Sequence, residues 1–246
     1  MLTEQTLKKL VALRLTTMAD AWEAQQSDAS IQDLSFDDRF GLLVDAEHLA
    51  RENRRIARNM KQASLRISDA SLEDLKTGPS RGLDKAQVRQ LQTCRWVRDH
   101  QNVLVTGPTG VGKSYLACAL GQAAVRHGYR VGFRRIPRLF EELALARAEG
   151  TYAKLMADLR KRDVLILDDL GLALPKSAQK HDLLEVLEDR DGQASTVVTS
   201  QLPVKKWYEW LDDATLADAI LDRLVHGAYK FELKGESQRK TRANPS

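Results

Sequence analysis

The stretch "VLVTGPTGVGKSYLACAL", Val103 to Leu120, decides the fold. It opens with a short apolar run, passes through Gly107 to Ser114, which match GxxxxGK[ST], and continues as an Ala- and Leu-rich helical pattern. Strand, glycine loop and helix in that order form a phosphate cradle. The glycines let successive backbone N–H groups wrap an anion, Lys113 reaches the terminal phosphates, Ser114 can ligate Mg²⁺, and the helix N-terminus adds its dipole. The candidate nucleotide-binding residues are therefore Gly107, Pro108, Thr109, Gly110, Val111, Gly112, Lys113, Ser114 and Tyr115, with ATP and Mg²⁺ as cofactors.

Outward from this stretch, short apolar runs alternate with helical patterns: Val103 to Val105, Val131 to Phe133, Val164 to Leu167, Thr196 to Val198 and Tyr229 to Leu233. Such alternation predicts an α/β domain with a mainly parallel sheet between helices. Gly128 fits a helix end and Pro137 a first helical turn, while Thr215 with Asp218 has capping-box spacing. "DVLILDDLG", Asp163 to Gly171, is a strand that ends in two adjacent carboxylates. At the C-terminal edge of a sheet, Asp168 suits a metal-binding acid and Asp169 a water-activating one, because a turn after the strand can redirect the second side chain. An acidic turn that caps the next segment is the alternative for Asp169. "STVVTSQLP", Ser195 to Pro203, runs into polar residues, and Ser200 is the candidate to lie between an attacking water and the γ-phosphate; a plain turn residue is the alternative.

Ahead of the phosphate loop, Leu7, Leu10, Val11, Met18 and Trp22 recur at helical spacing before a polar break, Gln25 to Ser30. Ser35 and Asp38 have capping-box spacing, and the apolar pattern that follows predicts a helix to about residue 62. Gly78, Pro79 and Gly82 break the pattern. The expected division is a helical N-terminal domain over 1–66, a linker over 67–100 and a nucleotide-binding domain over 101–246. Cys94 and Cys118 share no ligand-like spacing, which speaks against a zinc site or a disulfide framework and suits a cytoplasmic protein. No apolar run approaches the ~18 residues of a membrane span, and the start of the chain has no signal-peptide pattern.

The formal net charge is only +4, so any nucleic-acid reading rests on where the charge lies. Arg51, Arg54, Arg55 and Arg58 fall at i, i+3, i+4 and i+7 on one face of the expected long helix, and Lys61 continues it. Within Ala50 to Gln62 only Glu52 opposes them. A second cluster, Arg134, Arg135 and Arg138, follows the second core strand. Both clusters suit a phosphate backbone, and aromatic residues are sparse, so the expected partner is double-stranded DNA tracked with little sequence preference. Solvated surface arginines are the alternative for each cluster.

The order GPTGVGKS, LILDDLG, VVTSQLP and "TLADAILDRLVHGAYKFELKGES" (Thr215 to Ser237) resembles the IstB family, helper ATPases encoded by bacterial insertion sequences. That family belongs to the AAA+ ATPases and is similar to the DnaC and DnaI helicase loaders. The resemblance spans essentially the whole chain, and "SQLPVKKW" and "LADAILDRLVHGAY" carry it more specifically than the phosphate loop does. It implies an AAA+ P-loop core, an arginine finger at Arg223 that enters a neighbour's site, a sensor arginine at Arg239, and a homo-oligomer with shared ATP sites. It also implies a cognate transposase as partner. A finger acting in trans is worth about 10³ to 10⁵ in turnover. On the residues alone, Arg223 also suits a surface pair with Asp222 or Asp218, and Arg239 a basic tail. Asp169 stands where most AAA+ proteins have Glu, which implies slow hydrolysis. Few residues follow Leu233, so the expected core lacks a separate C-terminal helical lid. A replicative helicase loader is the nearest alternative function, followed by a small-molecule P-loop kinase and a nucleotide-regulated binding module without turnover.

Overall fold

The five apolar runs become five strands: β1 Val103–Thr106, β2 Val131–Arg135, β3 Val164–Leu170, β4 Ser195–Ser200 and β5 Tyr229–Glu232. A computed structural model describes residues 2–238. Within them the strands form one sheet in the order β2-β3-β4-β1-β5, and every neighbouring pair is parallel. All residues of β1 and β4 are buried, as a parallel sheet covered on both faces requires.

The helices are, in chain order, α1 Leu2–Ala12, α2 Thr16–Ser27, α3 Ala29–Gln32, α4 Phe36–Ala63, α5 Lys85–Gln92, α6 Arg95–Arg98, α7 Lys113–Arg126, α8 Ile136–Ala148, α9 Tyr152–Arg160, α10 Ser177–Glu188, α11 Trp207–Leu211 and α12 Ala214–Val225. The chain packs as two compact units, divided between Arg58 and Asn59.

In the first unit, the apolar spacing from Leu7 to Trp22 is shared by two helices. Arg14 adopts a left-handed φ of 60° and closes α1, with the Leu15 N–H bonded to the Leu10 carbonyl at 2.9 Å and the Arg14 N–H to that of Val11. This is a Schellman ending without the usual glycine, so the sequence carries no breaker to mark it. α4 begins where its cap predicts: the Asp38 N–H donates to Ser35 Oγ at 3.1 Å.

The second unit begins earlier than the sequence suggests, because the stretch expected to be a linker is packed. Leu72, Leu83, Val88, Leu91, Trp96 and Val97 are buried. Trp96 donates its indole N–H to the Leu91 carbonyl at 3.0 Å, and its own carbonyl accepts from Ser195 Oγ at 3.1 Å. Gly78, Pro79 and Gly82 serve a tight turn, closed by a bridge between Gly78 and Leu83. Gly82 has a left-handed φ of 66°, and a Cβ there would run into the Glu232 carbonyl oxygen, so this turn is pressed onto the end of β5.

Elsewhere the helix signals hold with one correction. α7 ends at His127 and Gly128, and Pro137 lies in the first turn of α8. The cap of α12, however, is Asp213 and not Thr215. The Asp213 backbone is extended and its carboxylate accepts from the Leu216 N–H at 3.1 Å, so Thr215 is already inside the helix.

Leu139, Leu143, Leu165, Leu167, Leu183, Val198, Trp207, Ile220 and Leu224 form the main apolar core. Burying each aliphatic side chain there contributes about 1.5 to 3 kcal/mol. A charged pillar stands at its edge. Arg190 is fully buried and donates to the carbonyls of Leu159, Arg162 and Ser195 at 2.8, 2.7 and 2.6 Å, and burial pushes its pKa down to about 10.

Candidate functional site

β1, β3 and β4 all deliver their C-terminal ends to one edge of the parallel sheet, where ligands of such folds bind. Between β1 and α7 the loop Gly107–Gly112 turns sharply, with φ of 141°, 82° and 107° at Gly107, Gly110 and Gly112. At Gly107 a Cβ would strike the Leu233 carbonyl, so the loop approaches the backbone beyond β5 as only glycine permits. Lys113, the first residue of α7, is nearly buried and donates from Nζ to the carbonyls of Gly107 and Pro108 at 2.8 and 2.9 Å. Its ammonium is thereby folded back over the cradle.

The two acids at the end of β3 form a bulge. Leu167 pairs with Val198 and Leu170 with Ser200, so Asp168 and Asp169 together oppose Thr199 alone. Asp169 takes a left-handed φ of 66°, so its side chain is redirected by the bulge inside β3 and not by a turn after the strand. The Thr199 hydroxyl holds both residues: it donates to Asp168 Oδ1 at 2.5 Å and accepts from the Asp169 N–H at 3.1 Å. Asp168 Oδ1 also accepts from Ser114 Oγ at 2.8 Å, while Oδ2 lies 3.4 Å from Arg66 Nη1. The carboxylate of Asp168 is fully buried. Asp169 Oδ2 accepts from Arg135 Nε at 3.0 Å and lies 2.9 Å from its Nη2.

These residues border a cavity of about 910 Å³, within the size range of small-ligand sites. Arg66, Lys76, Arg81, Lys113 and Arg135 line it against Asp69, Asp74 and Asp169, and Ile67, Leu75, Leu83 and Leu233 add apolar wall. A cationic floor beside an apolar wall matches a phosphate chain joined to a base. Arg81 ties the wall to the loop, donating from Nη2 to the Val111 carbonyl at 2.7 Å. Its buried Nε has no hydrogen-bond partner among the described residues. Tyr115 accepts from the Ser71 N–H at 3.2 Å, which fixes the same wall to α7. Serine hydroxyl and carboxylate, both hard oxygen donors beside the phosphate loop, suit Mg²⁺.

Ser200 is not beside these acids. Its hydroxyl donates to the Leu170 carbonyl at 2.7 Å and accepts from the Leu202 N–H at 3.0 Å, because strand alternation turns Thr199 and not Ser200 toward Asp168. The neighbouring Gln201 reaches the loop instead, accepting from Thr109 Oγ1 at 3.0 Å. Arg66, Arg81, Thr199 and Gln201 are thus the site residues that sequence reasoning missed. For Thr199 and Gln201 the signal was present in "VVTSQLP"; for Arg66 and Arg81 none stood in a motif.

Arg223 does not line the cavity. It donates to the Ala219 carbonyl and to Glu188 Oε1, both at 2.8 Å, so its ion-pair partner is on α10 and is neither Asp222 nor Asp218. Arg239 lies outside the described residues. Cys94 and Cys118 are buried, and burial pushes both thiols up to about 11, which removes them as nucleophiles near neutrality.

The two basic clusters are more occupied than their spacing suggests. Glu47, one turn ahead of the stripe, lies 2.8 Å from Arg51 Nε and 3.2 Å from Arg54 Nη2, while Glu52 pairs with Arg55 at 2.9 Å. Arg58 and Lys61 are exposed and have no ion-pair partner among the described residues. In the second cluster Arg134 pairs with Glu142 at 2.9 Å and Arg135 with Asp169, while Arg138 is exposed and has no ion-pair partner among the described residues.

A family model described as "IstB-like ATP binding protein" matches residues 8–246. The chain belongs to that family. Among its IstB-like relatives, an insertion sequence ATP-binding protein of Sinorhizobium fredii, y4pL, is 46% identical over 246 residues, covering all of both chains. Two solved structures are similar. A crystal structure of DnaI has a TM-score of 0.60 at 25% identity, covering 68% of this chain and 92% of that one. A crystal structure of the DnaC helicase loader has a TM-score of 0.55 at 21% identity, covering 68% of this chain and 97% of that one. The IstB-like chain therefore has an AAA+ P-loop fold of the helicase-loader type and comes from an ATP-binding family of insertion sequences. No helix of the described residues is long and apolar enough to cross a membrane.

Proposed function

We propose that this IstB-like protein is an ATP-dependent DNA-binding helper of transposition, which assembles on duplex DNA, selects or remodels the target, and recruits and stimulates its transposase. The observation that carries the reading is the phosphate loop joined to the β3 acid pair through Ser114, Asp168 and Thr199, in a chain whose family is that of insertion sequences.

In this reading residues 101–246 carry the ATPase chemistry, 67–100 pack with them as a wall of the site, and 1–66 form a helical domain. The loop N–H groups from Gly110 to Ser114 and the Lys113 ammonium bind the phosphate chain. Ser114 and Asp168 would hold Mg²⁺, which would supply charge neutralisation on the phosphate chain. Asp169 orients the attacking water and accepts its proton, and its pairing with Arg135 has to loosen for it to do so. Arg223 serves a neighbouring copy. Its place outside the cavity of its own chain supports that role, as does its tether to Glu188, whose side chain is half exposed. DNA is met by the exposed cations of α4, led by Arg58 and Lys61, and by Arg138.

Mixing two inactive variants tests the shared site. Arg223→Ala keeps an intact acid pair and Asp169→Asn keeps the finger, so DNA-stimulated phosphate release should be weak for each alone and partly restored in an equimolar mixture. If Arg223→Ala alone retains wild-type turnover, the shared-site reading fails. The likeness to DnaI and DnaC favours one second reading, a helicase loader; retention of a replicative helicase and not of the transposase in a pull-down with both would select it.

A further inference from the structure

Arg66 belongs to no nucleotide motif, yet it reaches the carboxylate at the centre of the site. It lies three residues beyond the end of α4 at Ala63, and Ser64 between them turns the chain with a left-handed φ of 50°. The two oxygens of Asp168 face different partners: Oδ1 accepts from Ser114 and Thr199, whereas Oδ2 faces the Arg66 guanidinium at 3.4 Å. Asp168 is fully buried, and the Arg66 guanidinium supplies a counter-charge to its carboxylate. The Arg66 side chain is 41% exposed and borders the cavity that Lys113 and Ser114 also line. It is therefore free to swing without leaving a buried cation behind.

Ser114 and Asp168 would hold a divalent cation through the same carboxylate that faces this guanidinium. A cation on that carboxylate and the guanidinium would repel each other in a partly desolvated site. We propose that Arg66 is a positioning residue for Asp168 that competes with Mg²⁺: it holds the carboxylate oriented, with Oδ1 on Ser114 and Thr199, before the cation enters, and is displaced toward the phosphates when the cation binds. The inference rests on the nucleotide and metal reading above.

The test is a Mg²⁺ titration of the binding of a fluorescent, non-hydrolysable ATP analogue to the full-length chain. Arg66→Gln removes the competing charge while keeping a polar group of similar length. It should lower the Mg²⁺ concentration for half-saturation by about tenfold, as loss of one charge contact implies. Arg66→Lys keeps a charge without the planar fork and should fall between wild type and Arg66→Gln; it carries the test alone if Arg66→Gln does not fold. A purely structural role would lower the melting temperature and leave the half-saturation point in place. Mg²⁺-dependent binding with one half-saturation value in wild type and variants overturns this inference alone. Wild-type binding with no Mg²⁺ dependence overturns the metal reading and this inference with it.

Discussion

Asp169 has a backbone angle that most side chains avoid, with φ of 66°. Asp and Asn tolerate that region better than other non-glycine residues, which sets up a clean substitution. Asp169→Asn should fold with little loss of stability, since it gives up only a part-exposed pair with Arg135. It should bind nucleotide within a few-fold of wild type and lose hydrolysis by about 10² to 10⁴. Phosphate release beside an analogue-binding titration measures both, and near-normal release would assign Asp169 to turn geometry alone. The same few residues show where residue-scale reading stops. "DDLG" announces two acids, but that they share one hydroxyl, that of Thr199, depends on a bulge created by the register of β3 against β4, and register is not a property of either strand alone. Which polar residue of "TSQ" turns toward Asp168 is likewise fixed by pairing, and it is Thr199 and not Ser200.

Helix α4 makes the corresponding point for an element. Its boundaries are readable, because Ser35 caps it and the apolar spacing continues to its end. Its basic face is not, because the carboxylate that neutralises half of it lies one turn upstream. Glu47 is held below the usual carboxylate range chiefly by the hydrogen bond from Arg51, with the Met18 N–H and the Arg54 charge adding to it against the cost of burial. A carboxylate with a depressed folded pKa contributes stability that is present above its unfolded pKa and is lost as pH falls through the folded value. Glu47→Gln should therefore melt below wild type at pH 7, and the gap should close as pH drops below about 4. Helix-signal melting followed by circular dichroism from pH 7 to pH 3 measures this; a gap of constant size across that range would mean that Glu47 charge is not what joins α2, α4 and Arg51.

For the molecule as a whole, the expected partner is a polyanion, and the relevant quantity is the number of cations left available. Pairing removes Arg51, Arg54, Arg55, Arg134 and Arg135 from the simple sum and leaves Arg58, Lys61 and Arg138 prominent. Each phosphate neutralised contributes about −0.9 to the slope of log affinity against log salt. Charge reversal at Arg58 and Lys61 together should weaken duplex binding and flatten that slope by about 1.8. Unchanged affinity and slope in a salt-titrated anisotropy series would remove α4 from the DNA contact. At this scale the sheet and its five strands were legible from alternation, since parallel strands are continuous apolar runs. The extent of the nucleotide-binding unit was not, because glycine and proline mark turns and do not say whether a turn is loose or pressed against a neighbour.

The turn at Gly78 to Leu83 then acquires another meaning. It grips both the phosphate loop, through Arg81 and Val111, and the backbone after β5, through Lys234, whose N–H donates to the Arg81 carbonyl at 3.0 Å. Residues far apart in the chain are closed into a loop around the cavity, so the segment behaves as a clasp and not as a leash. A fragment trimmed to the sheet at residue 101 would carry every residue of the phosphate motif and still lack one side of the chamber in which it works. Recombination that exchanges N-terminal modules among such chains would have to cut upstream of this clasp, near the end of α4, to inherit an intact site.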